Sequence, residues 1–453
     1  MEIKLFRSST VGIIGKNYKL LTDPWLTDGE YYGSWSHYPK YKIEDNLDEL
    51  NSYNAIYISH IHPDHCSTET LKKLDKNIPI YISDYHSKFL KFKIERLGFK
   101  VWELSNGKRH NLSSDFNLTI YPADNCDPEL CYKFNGCGKF EPDIKGSQQI
   151  DSLSVIDDGK FSILNVNDCP YDLAKHTISE KVLKDFSSPD VLLTGYGGAG
   201  PYPQCFENLS IDQKLIESKK KEKNFLKQAL DFIKLTNPKY YLPFAGTYVL
   251  TGKLNILQNI RGVPSIDQAY NFLFKEVKKL GLKKEPKSIM LNTDQSYNFL
   301  KNKYSKEYKK INLKDFKNYQ ENYLKDIKLD YEDDELILEE VLFENANKAM
   351  QNYINKKQEL NLDINSDIYI KTTKKFIKIF NDKDKIDFID HNQIDDSKNY
   401  VIYDLDTKLL NRILKGPKYA HWNNAEIGSH IKFFRSPDIF ERSLYYSMNF
   451  FHI

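Results

Sequence analysis

Residues 53–75 limit the possible folds more than any other stretch. Tyr53–Ser59 (YNAIYIS) is rich in β-formers and apolar on both faces, which reads as a buried strand. It runs directly into His60-Ile61-His62-Pro63-Asp64-His65, and residues 67–75 (STETLKKLD) then show a capping residue and helical spacing. A strand buried on both faces that feeds a helix needs a layer on each side of its sheet. The alternation recurs. Short β-like runs at 2–6, 11–14 and 18–22 come first. Strand-like runs follow at 78–82, 118–121, 153–156, 161–166, 191–194 and 240–244, with helix-like stretches at 87–97 and 211–235. Gly98 stops the first of these helices, and Asp158-Gly159 signals a hairpin. The pattern predicts α/β layers rather than a bundle or an all-β sandwich.

The chain of 453 residues is long enough for two or three domains. Composition shifts after about residue 270. Residues 1–265 read as a metal-binding catalytic domain, 266–350 as a charged helical connector, and 351–453 as a small α+β domain. Lys+Arg 65 against Asp+Glu 63 gives no global attraction to nucleic acid or an anionic membrane, so neither is expected as a partner. Six Cys are too sparse for a disulfide framework, and no stretch reaches the roughly 18 apolar residues of a membrane span. A cytoplasmic location is the expectation.

Three His and one Asp within six residues, on a strand-to-helix loop, can converge without long-range help. Imidazole nitrogens suit Zn or Fe, and a carboxylate adds a hard ligand and neutralises charge. His60 and His62 can form one site while Asp64 and His65 face a second metal. The glycine-rich run Gly195–Gly200 (GYGGAG) lacks a dinucleotide-binding context. It reads as a tight loop under the metal site, where backbone N–H groups of Gly197 and Gly198 can meet a substrate phosphate. Arg435 and His430 in the tail are candidates to face the same cleft. Cys66, Cys126, Cys131 and Cys137 fit no cluster spacing and read as free thiols.

The His-x-His-x-Asp-His pattern after a strand resembles the metallo-β-lactamase superfamily, an αβ/βα sandwich with metals at one sheet edge. Further segments are similar to the CMP-N-acetylneuraminate hydroxylase group. They are Leu21-Thr22-Asp23-Pro24-Trp25-Leu26, Tyr32-Gly33-Ser34-Trp35, residues 164–169 (LNVNDC), Gly197-Gly198-Ala199, Pro243-Phe244-Ala245-Gly246 and residues 435–440 (RSPDIF). These matches run along nearly the whole chain. The resemblance implies metal ligation by His60, His62, Asp64 and His65, with Asp168 as the carboxylate that bridges two metals. The superfamily's next His is missing, and Asp127, in Asp127-Pro128-Glu129, is the candidate replacement, with Asp124 and Cys126 close by. Its last His is missing from residues 246–253. The group's Rieske iron–sulfur segment needs Cys-x-His steps, and no Cys here has a His two residues later, so no built-in cluster is expected. The C-terminal run 400–434 also resembles a sterol-carrier-like domain, which would supply an apolar pocket or lid.

Two enzyme classes follow. With iron, a carboxylate-bridged pair supports hydroxylation of an anionic or nucleotide-activated sugar, with electrons from a separate Rieske or ferredoxin protein. With zinc or manganese, the same ligands acidify a bound water for hydrolysis of a phosphodiester or lactone, and Asp64 or Asp168 orients or deprotonates that water. A third reading is a non-catalytic binder with a degenerate site.

Overall fold

The computed structural model describes residues 1–123, 150–282 and 284–453. Two mixed sheets face each other. From edge to edge the first has Lys303–Tyr304, Gln295–Asn298, Glu2–Arg7, Thr10–Ile14, Lys19–Thr22, Ala55–Tyr57, Ile80–Ser83 and Val101–Leu104. The second has Lys287–Ser288, Tyr240–Phe244, Val191–Gly195, Ser162–Asn165, Ser152–Asp157, Phe116–Pro122 and Arg109–Ser113. Neighbours joined by tight turns pair antiparallel, and neighbours joined through helices pair parallel.

Strand periodicity decides what each residue touches. Ala55 and Tyr57 point between the sheets, into a core with Phe116, Leu118, Ile156, Ile163 and Leu193. Ile56 and Ile58 point the other way, onto Leu71 of helix Thr68–Lys73 and Leu90 and Ile94 of helix Phe89–Glu95. On the far side, Leu164, Leu192 and Tyr241 meet Ala229 and Phe232 of helix Ile211–Thr236 and Leu273 of helix Ile266–Lys279. The layers are thus helix, sheet, sheet, helix, which is the expected αβ/βα sandwich. The long helix starts at a Ser210/Gln213 capping box and stops at Asn237 in the left-handed region, at φ 43°.

Residues 266–350 do not form a separate helical connector. Ile266–Lys279 belongs to the outer helical layer, and Gln295–Asn298 pairs with the first strand of the chain. Gln295 and Tyr297 turn inward while Ser296 and Asn298 stay half-exposed, a period-two signal hidden by polar flanks. Helix Glu339–Glu359 packs Leu342, Ala346, Met350 and Tyr353 into one core with the strands that follow it. Its five-stranded sheet runs Lys385–Asp390, Lys375–Phe380, Asp367–Lys371, Tyr400–Asp404 and Lys432–Ser436. The unit is tied to the sandwich where Phe433 N donates to Cys205 O (2.8 Å) and Glu207 N to Phe433 O (2.7 Å). Among the described residues, no helix is long and apolar enough to cross a membrane.

Candidate metal centre

The parallel strands Lys19–Thr22, Ala55–Tyr57, Ser162–Asn165 and Val191–Gly195 all end at one edge of the sandwich. Side chains just past those ends converge because the strands are in register. Asp23 follows the first and His60 the second, and Asp23 N donates to Tyr57 O at 2.9 Å. Asp168 follows the third. Asp151 precedes the antiparallel strand Ser152–Asp157, so it reaches the same edge. The motif loop turns tightly, with His65 N (3.0 Å) and Cys66 N (2.8 Å) both donating to His62 O, and Ser67 then caps the helix by accepting from Thr70 N.

Two groups of three result. His60, His62 and Asp151 form one, and His60, His65 and Asp168 the other; in each group the ligand atoms lie within 4.8 Å of one another. His60 Nε2 is 3.8 Å from Asp151 Oδ1, and His65 Nε2 is 3.3 Å from Asp168 Oδ2 and 3.7 Å from Asp64 Oδ2. Asp64 therefore lies on the His65 side.

Outer contacts fix which ring nitrogen is free. Asp23 is fully buried and accepts from Ser59 N (2.7 Å) and Ser59 Oγ (2.8 Å). Its Oδ2 also lies 3.0 Å from His65 Nδ1, which must donate to it. The Ser59 hydroxyl proton goes to Asp23, so Ser59 Oγ accepts from His60 Nδ1 at 2.9 Å. Both imidazoles thus carry a proton on Nδ1 and turn Nε2 into the centre, the arrangement of metal-ligating histidines.

The electrostatics call for a cation. Burial pushes the Asp151 carboxyl up to about 7, and the Asp168 charge adds to the shift. Burial also raises Asp64, with Asp168 again adding and His65 opposing. Burial holds His60 well below the ordinary imidazole range, with His65 and His62 adding. Burial works against charge on His65, yet Asp168, Asp23 and Asp64 together raise it well above that range, so without a cation Nε2 also holds a proton, which a bound metal would displace. Crowded carboxylates beside bare imidazole lone pairs are mutually unfavourable until a divalent ion sits among them. His60 Nε2, His65 Nε2 and Asp151 Oδ1 are buried with no hydrogen-bond partner. Orphaned buried polar atoms are costly. A His/Asp-bound divalent metal would satisfy all three, so the donor set fits the group.

The sequence-derived residues His60, His62, Asp64, His65 and Asp168 all come to this edge. Asp127 lies outside the described residues, as do Asp124 and Cys126. Among the described residues, the carboxylate brought to His60 and His62 is Asp151, which was not among the sequence candidates. Its only sequence signal is its place directly before a strand-like run. Gly197 and Gly198 lie in the loop beside the centre, where packing demands glycine. A Cβ at 197 would stand 3.2 Å from Gly246 Cα, and one at 198 would stand 1.8 Å from the Phe225 ring. Arg435 does not turn to the metal ligands: its guanidinium pairs with Asp438 (Nη2–Oδ1 2.6 Å) and lies over the Phe206 ring. Cys66 and Cys205 are buried free thiols.

Tyr31 is a second omission. Its hydroxyl donates to Asp64 Oδ1 at 2.5 Å. Tyr31 and Tyr32 are both left-handed, at φ 52° and 59°, a conformation costing about 1–3 kcal/mol per non-glycine residue. The C-terminal unit helps hold it. His430 Nε2 donates to Tyr31 O (2.7 Å), His430 Nδ1 accepts from the Tyr331 hydroxyl (3.0 Å), and His421 N donates to the Tyr32 hydroxyl (2.6 Å). His430, a cleft candidate from sequence, instead positions the turn that carries Tyr31. Burial holds its pKa down to about 4, below the roughly 6.5 of an unfolded imidazole. Between those values the unfolded chain binds more protons. The stability that neutral His430 contributes is therefore full above pH 6.5 and is lost as pH falls toward 4. The ceiling is roughly 3 kcal/mol. Urea midpoints at pH 7 and 4.5 should show a smaller acid-induced loss in His430→Gln than in the wild type, and equal losses would refute this assignment.

No family model matches the chain. Curated relatives match its N-terminal half only. A protein named as a Rieske 2Fe-2S iron–sulfur protein in Mycolicibacterium smegmatis is 26% identical over 238 residues, covering 50% of this chain and 40% of its own length. The cytidine monophosphate-N-acetylneuraminic acid hydroxylase of Danio rerio is 26% identical over 242 residues, covering 51% of this chain and 35% of its own. The alignment thus spans well under half of each of these relatives. Among solved structures, an isothiocyanate hydrolase from Delia radicum gut bacteria is 12% identical with a TM-score of 0.42, covering 66% of this chain and 99% of that one. CmlA, a diiron β-hydroxylase from Streptomyces venezuelae, is 14% identical with a TM-score of 0.39, covering 64% and 53%. The expected likeness along nearly the whole chain thus narrows to one half of it. With its sandwich layers and its motif at the sheet edge, the protein has a metallo-β-lactamase-type fold, and its N-terminal half resembles the CMP-N-acetylneuraminate hydroxylase group.

Proposed function

We propose that this protein is a metal-dependent enzyme that hydroxylates an anionic or nucleotide-activated sugar, using dioxygen and electrons from a separate Rieske or ferredoxin protein. The observation that carries the reading is Asp151. Among the described residues it joins His60 and His62, and an added carboxylate favours a harder metal such as iron or manganese over zinc. The similarity of the N-terminal half to the hydroxylases points the same way. The residues that would hold the metal are His60, His62 and Asp151 on one side, and His65, Asp168 and Asp64 on the other. Bound iron would supply dioxygen chemistry, whereas zinc or manganese would acidify a water.

The chain's own groups do the rest. Asp23 and Ser59 orient the two imidazoles. Tyr31 donates to Asp64 and leaves its other oxygen toward His65. Burial of His60 and His65 keeps water from competing for the ligand atoms.

Hydrolysis is the second reading. It is favoured by Asp168, whose side chain is 36% exposed and so can take a proton from a water at the cleft mouth. The test is elemental analysis of protein purified anaerobically without chelator, followed by turnover assays with a ferredoxin and its reductase. About two irons per chain and substrate-dependent oxygen uptake are expected. Zinc, with phosphodiester or lactone cleavage, would replace this reading by the second. No metal after reconstitution would leave only a binding protein on an enzyme fold.

A further inference from the structure

We propose that the glycine loop Gly195–Gly200 leads from the metal centre to a second binding element, a phosphoryl-anion site built on Arg261 and Lys221. As a substrate subsite it rests on the catalytic reading above, but the anion binding itself does not.

Arg261 is 6% exposed, and its Nε and Nη1 have no hydrogen-bond partner. Its guanidinium lies 4.1 Å over the Tyr248 ring. Among the described residues it makes no ion pair, and Glu222 acts on it only from a distance. A buried guanidinium with open donors and no counter-charge is costly, and a fold retains one where an anion arrives from outside. Lys221 stands beside it. Its stem packs on Gly262, where a Cβ would come within 3.0 Å of Lys221 Cβ and Cδ. Its ammonium donates to Tyr202 O at 2.8 Å and approaches Gly200 O at 3.5 Å, and among the described residues no carboxylate pairs with it. The backbone carbonyls supply no counterion, and burial, with Arg261 adding, holds the Lys221 pKa down to about 7, so an arriving anion would favour its charged form.

Two series of contacts join this pair to the metal centre. The Tyr248 ring stacks on Trp35 at 3.5 Å, Trp35 meets Tyr31 at 4.5 Å, and the Tyr31 hydroxyl donates to Asp64. On the other side, a Cβ at Gly195 would lie 3.9 Å from Asp168 Oδ1, and Gly197 packs on Val263, two residues past Arg261. The floor between them is glycine backbone, half-exposed at 195, 197 and 198. Two cations without a carboxylate match a dianion. A phosphoryl group satisfies both, whereas a single carboxylate leaves one charge over.

The test uses full-length protein, metal-loaded and metal-stripped, titrated with inorganic phosphate and with sodium acetate by calorimetry and thermal shift. Saturable phosphate binding should persist in stripped wild type and exceed acetate binding at least tenfold. Arg261→Met and Lys221→Gln should each weaken it tenfold or more. The phosphate-free melting temperature of Arg261→Met should not fall, because a buried uncompensated charge has been removed. Should Arg261→Met fail to fold, Lys221→Gln and the phosphate-to-acetate ratio of the wild type decide. Phosphate binding that requires metal, or that both variants retain, would overturn the site. Metal per chain is measured in parallel. An absent metal with intact phosphate binding would sink the catalytic reading and leave this site standing.

Discussion

Replacing His60 with alanine is expected to empty both halves of the metal centre at once. His60 is the one residue shared by the His60/His62/Asp151 and His60/His65/Asp168 groups, and its Nε2 is already bare and buried. Loss of an outer partner of a metal ligand costs about 10–100-fold in affinity. Loss of a shared direct ligand should exceed 100-fold, so metal per chain after dialysis should fall to background. The metal-free melting temperature should change little, because the variant removes an unsatisfied nitrogen. Asp151→Asn is the contrasting case: it should weaken the His62 side and spare the Asp168 side, halving the metal rather than abolishing it. Full metal content in His60→Ala would mean that the ion binds elsewhere.

Chelation should lower thermal stability steeply. Metal that binds only the folded chain stabilises it by RT ln(1 + [L]/Kd), about 4 kcal/mol at a free concentration 1,000 times Kd. For the whole chain unfolding as one unit that corresponds to a fall of roughly 4 °C in Tm. The effect is reinforced here because Asp151, Asp64 and Asp168 crowd together without a cation. Scanning calorimetry before and after chelation checks it. His60→Ala is the control, and chelation should not shift it. An equal shift in that variant would place the stabilising ion away from this edge.

The sequence by itself determined what is local. Strand Ala55–Tyr57, the turn through His62 and the Ser67-capped helix lie within about twenty residues, so their burial pattern and capping are readable in order, and three imidazoles and Asp64 come with them. The alternation of strand-like and helix-like runs likewise fixed the layered class. What only the tertiary structure decided is everything that depends on which strand lies beside which. Asp23 reaches His65 because Lys19–Thr22 pairs in parallel with Ala55–Tyr57. Asp151 reaches His60 because an antiparallel strand starts where parallel ones end. Segment 295–304 was misread because its strand pairing needs the distant first strand, which no local composition records. Tyr31 reached Asp64 only through a left-handed turn held by His430, 399 residues away. Neither propensity nor period encodes such contacts, since they arise from register and packing between elements and not from the residues within any one of them.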